Sequence, residues 1–311
     1  MLCLSLFLNW IPLAALGLIC FDYPNGLIYS SSLIIAAGVM AISPVNESIG
    51  RKALGCRPAT AEERDKVAAA WDAVVAAIGQ ALDGSTRGRF AGVHLFVSDE
   101  RFPVAFALGR NTVCVTRGMV HLAAPGEIAG VLAHEAGHLH FGDSIRLAVA
   151  ISISRIGVAS YGVLDFLARI CEGLGRGMMA AGRPIAGSSS GSDGIFGAFL
   201  CLMAGLAVVI ATIAGIVIKM ASFLLQKVAD VSLGAVGRRE EFRADLFAKN
   251  IGFGRQLAKY LLRTEALETA PKGVWAVLQR THPPIAERIE RLLQDVSDEA
   301  DVSEETPPPG N

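Results

Sequence analysis

Val131-Leu132-Ala133-His134-Glu135-Ala136-Gly137-His138 contains the pattern His-Glu-x-x-His, and the rest of the chain is read around it. The spacing predicts a helix. Pro125 suits a first helical position, and Glu127 complements the positive end of the helix dipole. Ile128, Val131 and Leu132 supply a buried stripe, and Gly142 is placed to stop the helix. Residues four apart on a helix share a face, so His134 and His138 point the same way and their imidazoles can hold one Zn²⁺. Glu135 stands beside them, where a carboxylate can take a proton from an attacking water.

The 311 residues are 52% hydrophobic and 18% charged, with mean hydropathy +0.46. That is too apolar for an ordinary soluble enzyme and fits a chain partly dissolved in lipid. The net charge of −1 and the absence of a long basic run argue against nucleic acid as a partner. Six scattered cysteines suggest neither a disulfide framework nor a cysteine-based zinc site.

Residues 1–21 and 23–46 carry no charge, and each is long enough to cross a ~30 Å hydrocarbon core as a helix. With a turn at Asp22-Tyr23-Pro24-Asn25-Gly26 they are expected to form a transmembrane hairpin over 1–46. A cleaved leader is disfavoured, because no basic region precedes the apolar run. Arg51, Lys52 and Arg57 mark the side that follows as cytoplasmic. Residues 47–143 are then read as the first part of a catalytic domain. It holds an amphipathic helix over 58–83, a loop from Gly84 to Gly92, strands at 93–97, 104–108 and 112–116, and the metal helix. His94, His121 and His140 read as packed or surface residues rather than ligands. Residues 144–225 form a membrane region with two further hydrophobic segments, joined by a Gly- and Ser-rich loop over 171–194. Arg155 and Asp165 in the first of them should face protein or a water-filled site. Residues 226–294 supply the second part of the catalytic domain, and 295–311 an acidic, Pro-ending disordered tail.

Two histidines do not complete a catalytic zinc site, which takes three protein ligands and leaves one position open. No third histidine lies at short spacing, so the third ligand is expected farther along. Glu241 fits best, because Asp245 lies four residues on and can hold the second ring nitrogen of a ligand histidine. Glu240 is the competitor, with a poorer five-residue offset from Asp245. The expected fold class is therefore mainly α. Helical transmembrane segments accompany a cytoplasmic α+β domain of the zincin (gluzincin) type with a small three-stranded sheet. One Zn²⁺ per chain is the expected cofactor.

These residues resemble the HtpX-type membrane zinc metallopeptidases, a family that includes the CAAX prenyl-protein proteases. The matching pieces are Ala105-Phe106-Ala107-Leu108-Gly109, Val115-Thr116-Arg117-Gly118, the stretch from Glu127 to Asp143, Glu241-Phe242-Arg243-Ala244-Asp245, and Thr281-His282-Pro283-Pro284 with Arg288. The resemblance covers most of residues 1–294. It implies His134, His138 and Glu241 as ligands and Glu135 as base. It also implies His282 as a hydrogen-bond donor to the transition state and Arg288 as a supporting residue. One departure is Val104, where the family often has Asn.

The expected reaction is hydrolysis of peptide bonds, with Glu135 passing a proton to the leaving amine. Val104, Ala105 and Phe106 lie on a strand that can accept substrate as an added strand, which selects extended polypeptide. Residues 138 and 241 must meet at one ion, so the chain between them must cross the membrane an even number of times; two crossings, at about 145–168 and 195–218, satisfy this and are favoured over none, with the second segment re-entrant and the first on the surface. The resemblance implies a bacterial inner membrane location and membrane or misfolded proteins as substrates, in protein quality control. The rival readings are a prenyl-peptide protease and a catalytically silent membrane zinc scaffold.

Overall fold

The structure, a computed structural model, describes residues 2–82, 84–188, 192–265 and 283–304. In chain order it runs α1 (Leu2–Cys20), α2 (Asn25–Ala41), α3 (Pro44–Ala53), β1 (Cys56–Arg57), α4 (Ala61–Ala81) and α5 (Gly84–Ala91). There follow β2 (His94–Ser98), β3 (Ala105–Leu108), β4 (Thr112–Thr116), α6 (Arg117–Leu122) and α7 (Pro125–Phe141). The chain continues as α8 (Asp143–Ser188), α9 (Ser192–Asn250), α10 (Gly254–Glu265) and α11 (Ile285–Glu304). Two compact units are present, one of residues 1–38 with 150–231 and one of 39–149 with 232–311.

In the first unit α1 and α2 form a hairpin. Trp10 Nε1 donates to Ser31 Oγ at 3.2 Å, and Ser30 Oγ lies 2.9 Å from the Leu13 carbonyl. Gly17 and Gly26 meet so closely that a Cβ on either would strike the other's backbone. α8 does not give way to a loop at residue 171; it runs on to Ser188. The glycines there are sites of close approach rather than flexible joints. A Cβ at Gly175 would meet Val208, one at Gly182 would meet Cys201 Sγ, and one at Gly197 would meet Ala186. Small residues that let helices touch in this way are how helices associate in lipid, where apolar burial gives no advantage. Outward the apolar side chains remain exposed, Ile195 at 75% and Leu202 at 70%, as a lipid-facing surface requires. Asp165 is paired with Arg169 and, at 3.5 Å, with Lys219 of α9, whereas Arg155 lies on an exposed face of α8.

Among the described residues, Asp143–Gly187 and Gly194–Leu224 are each long and apolar enough to cross a membrane. The expectation that 23–46 crosses as one helix changes. Ser43 caps α3, with its Oγ 3.3 Å from the Asn46 N–H, and Pro44 opens that helix. This stops α2 after 17 residues, about 25 Å of rise against a ~30 Å core. Only together do α2 and the bent continuation α3 reach spanning length, and α1 contributes a shorter apolar stretch, Asn9–Cys20.

The second unit packs helices on a sheet of order β1-β2-β4-β3, with β2 parallel to β4 and β3 antiparallel to it. The predicted strands are present to within one residue, and the two-residue β1 adds a fourth at one edge. The expected loop at 84–92 is mostly the helix α5. Phe90 explains it: the ring is buried 6.3 Å from that of Trp71, whose Nε1 donates to the Phe90 carbonyl. Val67, Trp71, Val74 and Ile78 of α4 bury one stripe at helical spacing. Thr60 and Glu63 cap α4 reciprocally, and Glu63 also takes a fork from Arg57 at 2.8 and 2.9 Å. α11 reaches Glu304, overlapping the stretch read as a tail, and residues 305–311 lie outside the described residues.

The Arg57 fork, outweighing burial, holds the Glu63 carboxyl down to about 2 from 4.5. A depressed folded-state value contributes stability above the unfolded value and loses it as pH falls through the folded one. Glu63→Gln is expected to lower unfolding stability at neutral pH by ~1–2 kcal/mol. In detergent denaturation curves the gap from the unsubstituted chain should close between pH 4.5 and about 2; a gap independent of pH in that window refutes the assignment.

Candidate metal centre

The two histidines sit where the helix rules place them. Glu127 accepts the Ala124 N–H at 2.9 Å behind Pro125, and Gly142 ends α7 in the left-handed region at φ 72°. From Glu127 to Gly137, and again at Leu139, α7 is buried, against α4, α10, β3 and the last turns of α9. Gly137 decides the last of these contacts, since a Cβ there would sit 3.0 Å from Ala244 Cα. That approach carries Glu241 and Asp245, which flank Ala244, up to the histidines.

His134 Nε2 and His138 Nε2 lie 3.1 Å apart. Glu241 Oε2 is 3.4 Å from the first and Oε1 is 3.3 Å from the second. One ligand atom from each of the three residues falls within a mutual 4.8 Å. Ligands about 2.1 Å from a tetrahedral ion stand about 3.4 Å from one another, so these spacings fit a single Zn²⁺. The donor set, two imidazoles and a carboxylate, is that of a catalytic rather than a structural zinc site.

Both outer ring nitrogens are held by carboxylates. Asp245 Oδ1 is 2.8 Å from His134 Nδ1, and Asp143 Oδ2 is 3.1 Å from His138 Nδ1. An acceptor at Nδ1 keeps the proton there and turns the Nε2 lone pair inward. Burial alone would lower the His134 pKa, but Asp245 and then Glu241 outweigh it and the net shift is upward. His138, with Asp143, Glu241 and Glu135 around it, is raised well above its usual value against the same burial penalty. The pocket therefore favours positive charge where the two imidazoles meet.

Arg288 is buried behind the carboxylates. Its Nε donates to Asp245 Oδ2 at 2.8 Å, its Nη2 donates to Oδ1 at 2.7 Å, and Nη1 is 3.3 Å from Glu241 Oε2. Burial pushes Asp245 up, yet the Arg288 fork and His134 hold it below the usual carboxylate value. Glu135 is buried, and its charge is felt by His138, Tyr260 and Arg288. Glu240, the alternative ligand, is drawn aside to Arg146 at 3.3 Å. His94 and His121 are exposed, and His140 stacks on Phe247 at 5.1 Å, kept neutral by burial and by the charges of Arg89 and Arg243. β3 is an edge of the sheet, with Ala105 and Phe106 buried and Val104 half-buried at its start. His282 lies outside the described residues.

Sequence reasoning missed two residues. Asp143 holds His138 and gathers Arg146 and Arg243. Its signal was a carboxylate just past the glycine stop, five residues beyond His138. Tyr260, buried on α10, donates from its hydroxyl to the Pro103 carbonyl at 2.8 Å, just before β3. Nothing in its local sequence marked it.

Residues 72–296 match the profile of peptidase family M48. The chain is 32% identical over 226 residues to a protease HtpX homolog of Persephonella marina, covering 66% of this chain and 70% of the relative. A protease HtpX homolog of Listeria monocytogenes is 27% identical over 294 residues, 90% of each chain. Among solved structures, S. mikatae Ste24p aligns at 18% identity and TM-score 0.48 over 90% of this chain, which spans 61% of that protein's length.

Replacing the carboxylates behind the ligands tests the geometry without touching the ligands. Asp143→Asn and Asp245→Asn are each expected to weaken zinc binding by ~10–100-fold. Competition with a chromogenic chelator measures this, and affinities unchanged from the unsubstituted chain would mean that the carboxylates do not orient the histidines.

Proposed function

The chain belongs to peptidase family M48, and from that premise we propose that it is an integral-membrane, zinc-dependent metalloendopeptidase. On this reading it cleaves extended segments of membrane or misfolded proteins at the cytoplasmic face of a bacterial inner membrane. The observation that carries the reading is the convergence of His134, His138 and Glu241, with Glu135 beside them, in a chain of a protease family. The HtpX homologs at 27–32% identity and the two helices of spanning length support a membrane peptidase. Arg51, Lys52 and Arg57 support the cytoplasmic orientation.

His134, His138 and Glu241 would hold the ion, Asp245 and Asp143 would orient the imidazoles, and Arg288 would balance the carboxylates. Bound there, zinc supplies Lewis acidity toward the scissile carbonyl and the attacking water. Glu135 accepts the proton of that water and delivers it to the departing amine, which turns a poor leaving group into a neutral one. Its partly desolvated surroundings keep bulk water from competing for that proton. His282, carried over from the family motif, donates a hydrogen bond to the developing oxyanion. The outer edge of β3, a terminal strand of the sheet among the described residues, takes the substrate backbone as an added strand, beginning at Val104, so an unfolded segment is accepted and a folded domain is not. In this reading residues 47–143 and 226–294 form one catalytic domain, interrupted by the membrane region 144–225.

Glu135→Gln keeps the size of the side chain and removes the base. Purified in detergent, it is expected to retain one zinc per chain and to lose ~10²–10⁴-fold in cleavage of an unfolded protein. Undiminished cleavage, or cleavage by the unsubstituted chain after chelation and metal analysis show no zinc, would overturn the mechanism and return the scaffold reading.

A further inference from the structure

The β3–β4 hairpin is gripped at its turn by a residue that no catalytic motif contains. Glu47 projects from α3, and its Oε2 accepts the Arg110 N–H at 3.2 Å. Its Oε1 takes the hydroxyl of Thr112, the fully buried first residue of β4. Arg51, one turn along α3, sits 3.8 Å from the same carboxylate, donates to Thr112 Oγ1 at 3.3 Å and lies over the Phe96 ring of β2. Gly109 opens the turn at φ 55°, and a Cβ there would collide with the Glu47 carboxylate. Gly50 of α3 faces Leu108, the last residue of β3, with room for only ordinary contact.

We propose that Glu47 is a positioning residue for substrate, fixing the Leu108 end of the strand along which substrate is added; this rests on the peptidase reading above. The other end of β3 is already fixed. Val104 exchanges hydrogen bonds with Thr116, its N–H reaching Oγ1 at 3.0 Å and its carbonyl taking the Thr116 N–H at 2.9 Å. Tyr260, which feels the Glu135 charge, holds Pro103. The Val104 end is thus tied to α10, which packs on the helix of His134 and His138, and the Leu108 end is the remote one, tied to α3. A sheet edge offers its N–H and C=O groups in register only if both ends are held, and β3 has four residues. With Glu47 gone, the turn can splay and the remote part of the edge loses its register. Substrate residues far from the scissile bond then contribute less binding, and short substrates are unaffected.

The test compares the full-length chain with Glu47→Ala and Glu47→Gln in detergent, using unstructured fluorogenic peptides of about four and about ten residues. The long peptide should show kcat/KM reduced ~10-fold in Glu47→Ala, through KM, with the short peptide within twofold and zinc content unchanged. Glu47→Gln, which keeps one acceptor oxygen, should fall between. Equal losses on both peptides, or loss of zinc, would reduce Glu47 to a structural residue and overturn the proposal. Full activity on both overturns it too. Failure of the unsubstituted chain to cleave either peptide instead removes the peptidase reading and this inference with it.

Discussion

A close backbone approach joins Gly137 of α7 to Ala244 of α9, and the candidate centre depends on it. Two helices usually pack 8–10 Å apart, and a glycine facing an alanine lets them come to the near end of that range. Here it sets the reach of two carboxylates. Glu241 and Asp245 stand one turn apart, on either side of the contact, so the first can meet Nε2 atoms while the second meets an Nδ1. A wider separation would leave buried carboxylates facing buried imidazoles without contact, which is costly for both.

The carboxylates around the two imidazoles, Asp143, Glu241 and Asp245, are each paired with a basic side chain. Glu135, Asp143, Glu241 and Asp245 are all buried, as is Arg288. Isolated ions in such a place would change their protonation state rather than stay charged. The Arg288 fork neutralises Asp245, Arg146 and Arg243 meet Asp143, and the imidazoles are pulled toward the protonated state. A divalent cation between the Nε2 atoms supplies the charge those protons would otherwise bring. The same network that needs positive charge thus favours metal over empty space, and proton and metal compete for it.

Much of this was legible in the sequence because it rests on local periodicity. The i, i+4 spacings of His134 with His138 and of Glu241 with Asp245 place side chains on one face whatever the tertiary structure does. The three longer strands and the amphipathic stripe of α4 follow from alternation and helical spacing in the same way. What stayed hidden depends on contacts across the chain. Composition reads Gly175 and Gly182 as part of a flexible loop, but facing another helix they are contact points. Phe90 could turn 84–92 into a helix only because Trp71 waits nineteen residues earlier. Asp143 lies past a helix stop, where a periodicity argument ends, and folds back through the left-handed glycine at 142.

The membrane segments follow from the same constraint. The ligands come from two pieces of chain separated by about a hundred residues, and they can meet only if the intervening chain returns to the side it left. Among the described residues exactly this separation holds two helices of spanning length, an even number. α8 starts at Asp143, the residue that holds His138, and α9 ends about two and a half turns beyond Glu241. The carboxylate that holds His138 is thus the first residue of one helix of spanning length, and Glu241 lies on the helix that contains the other.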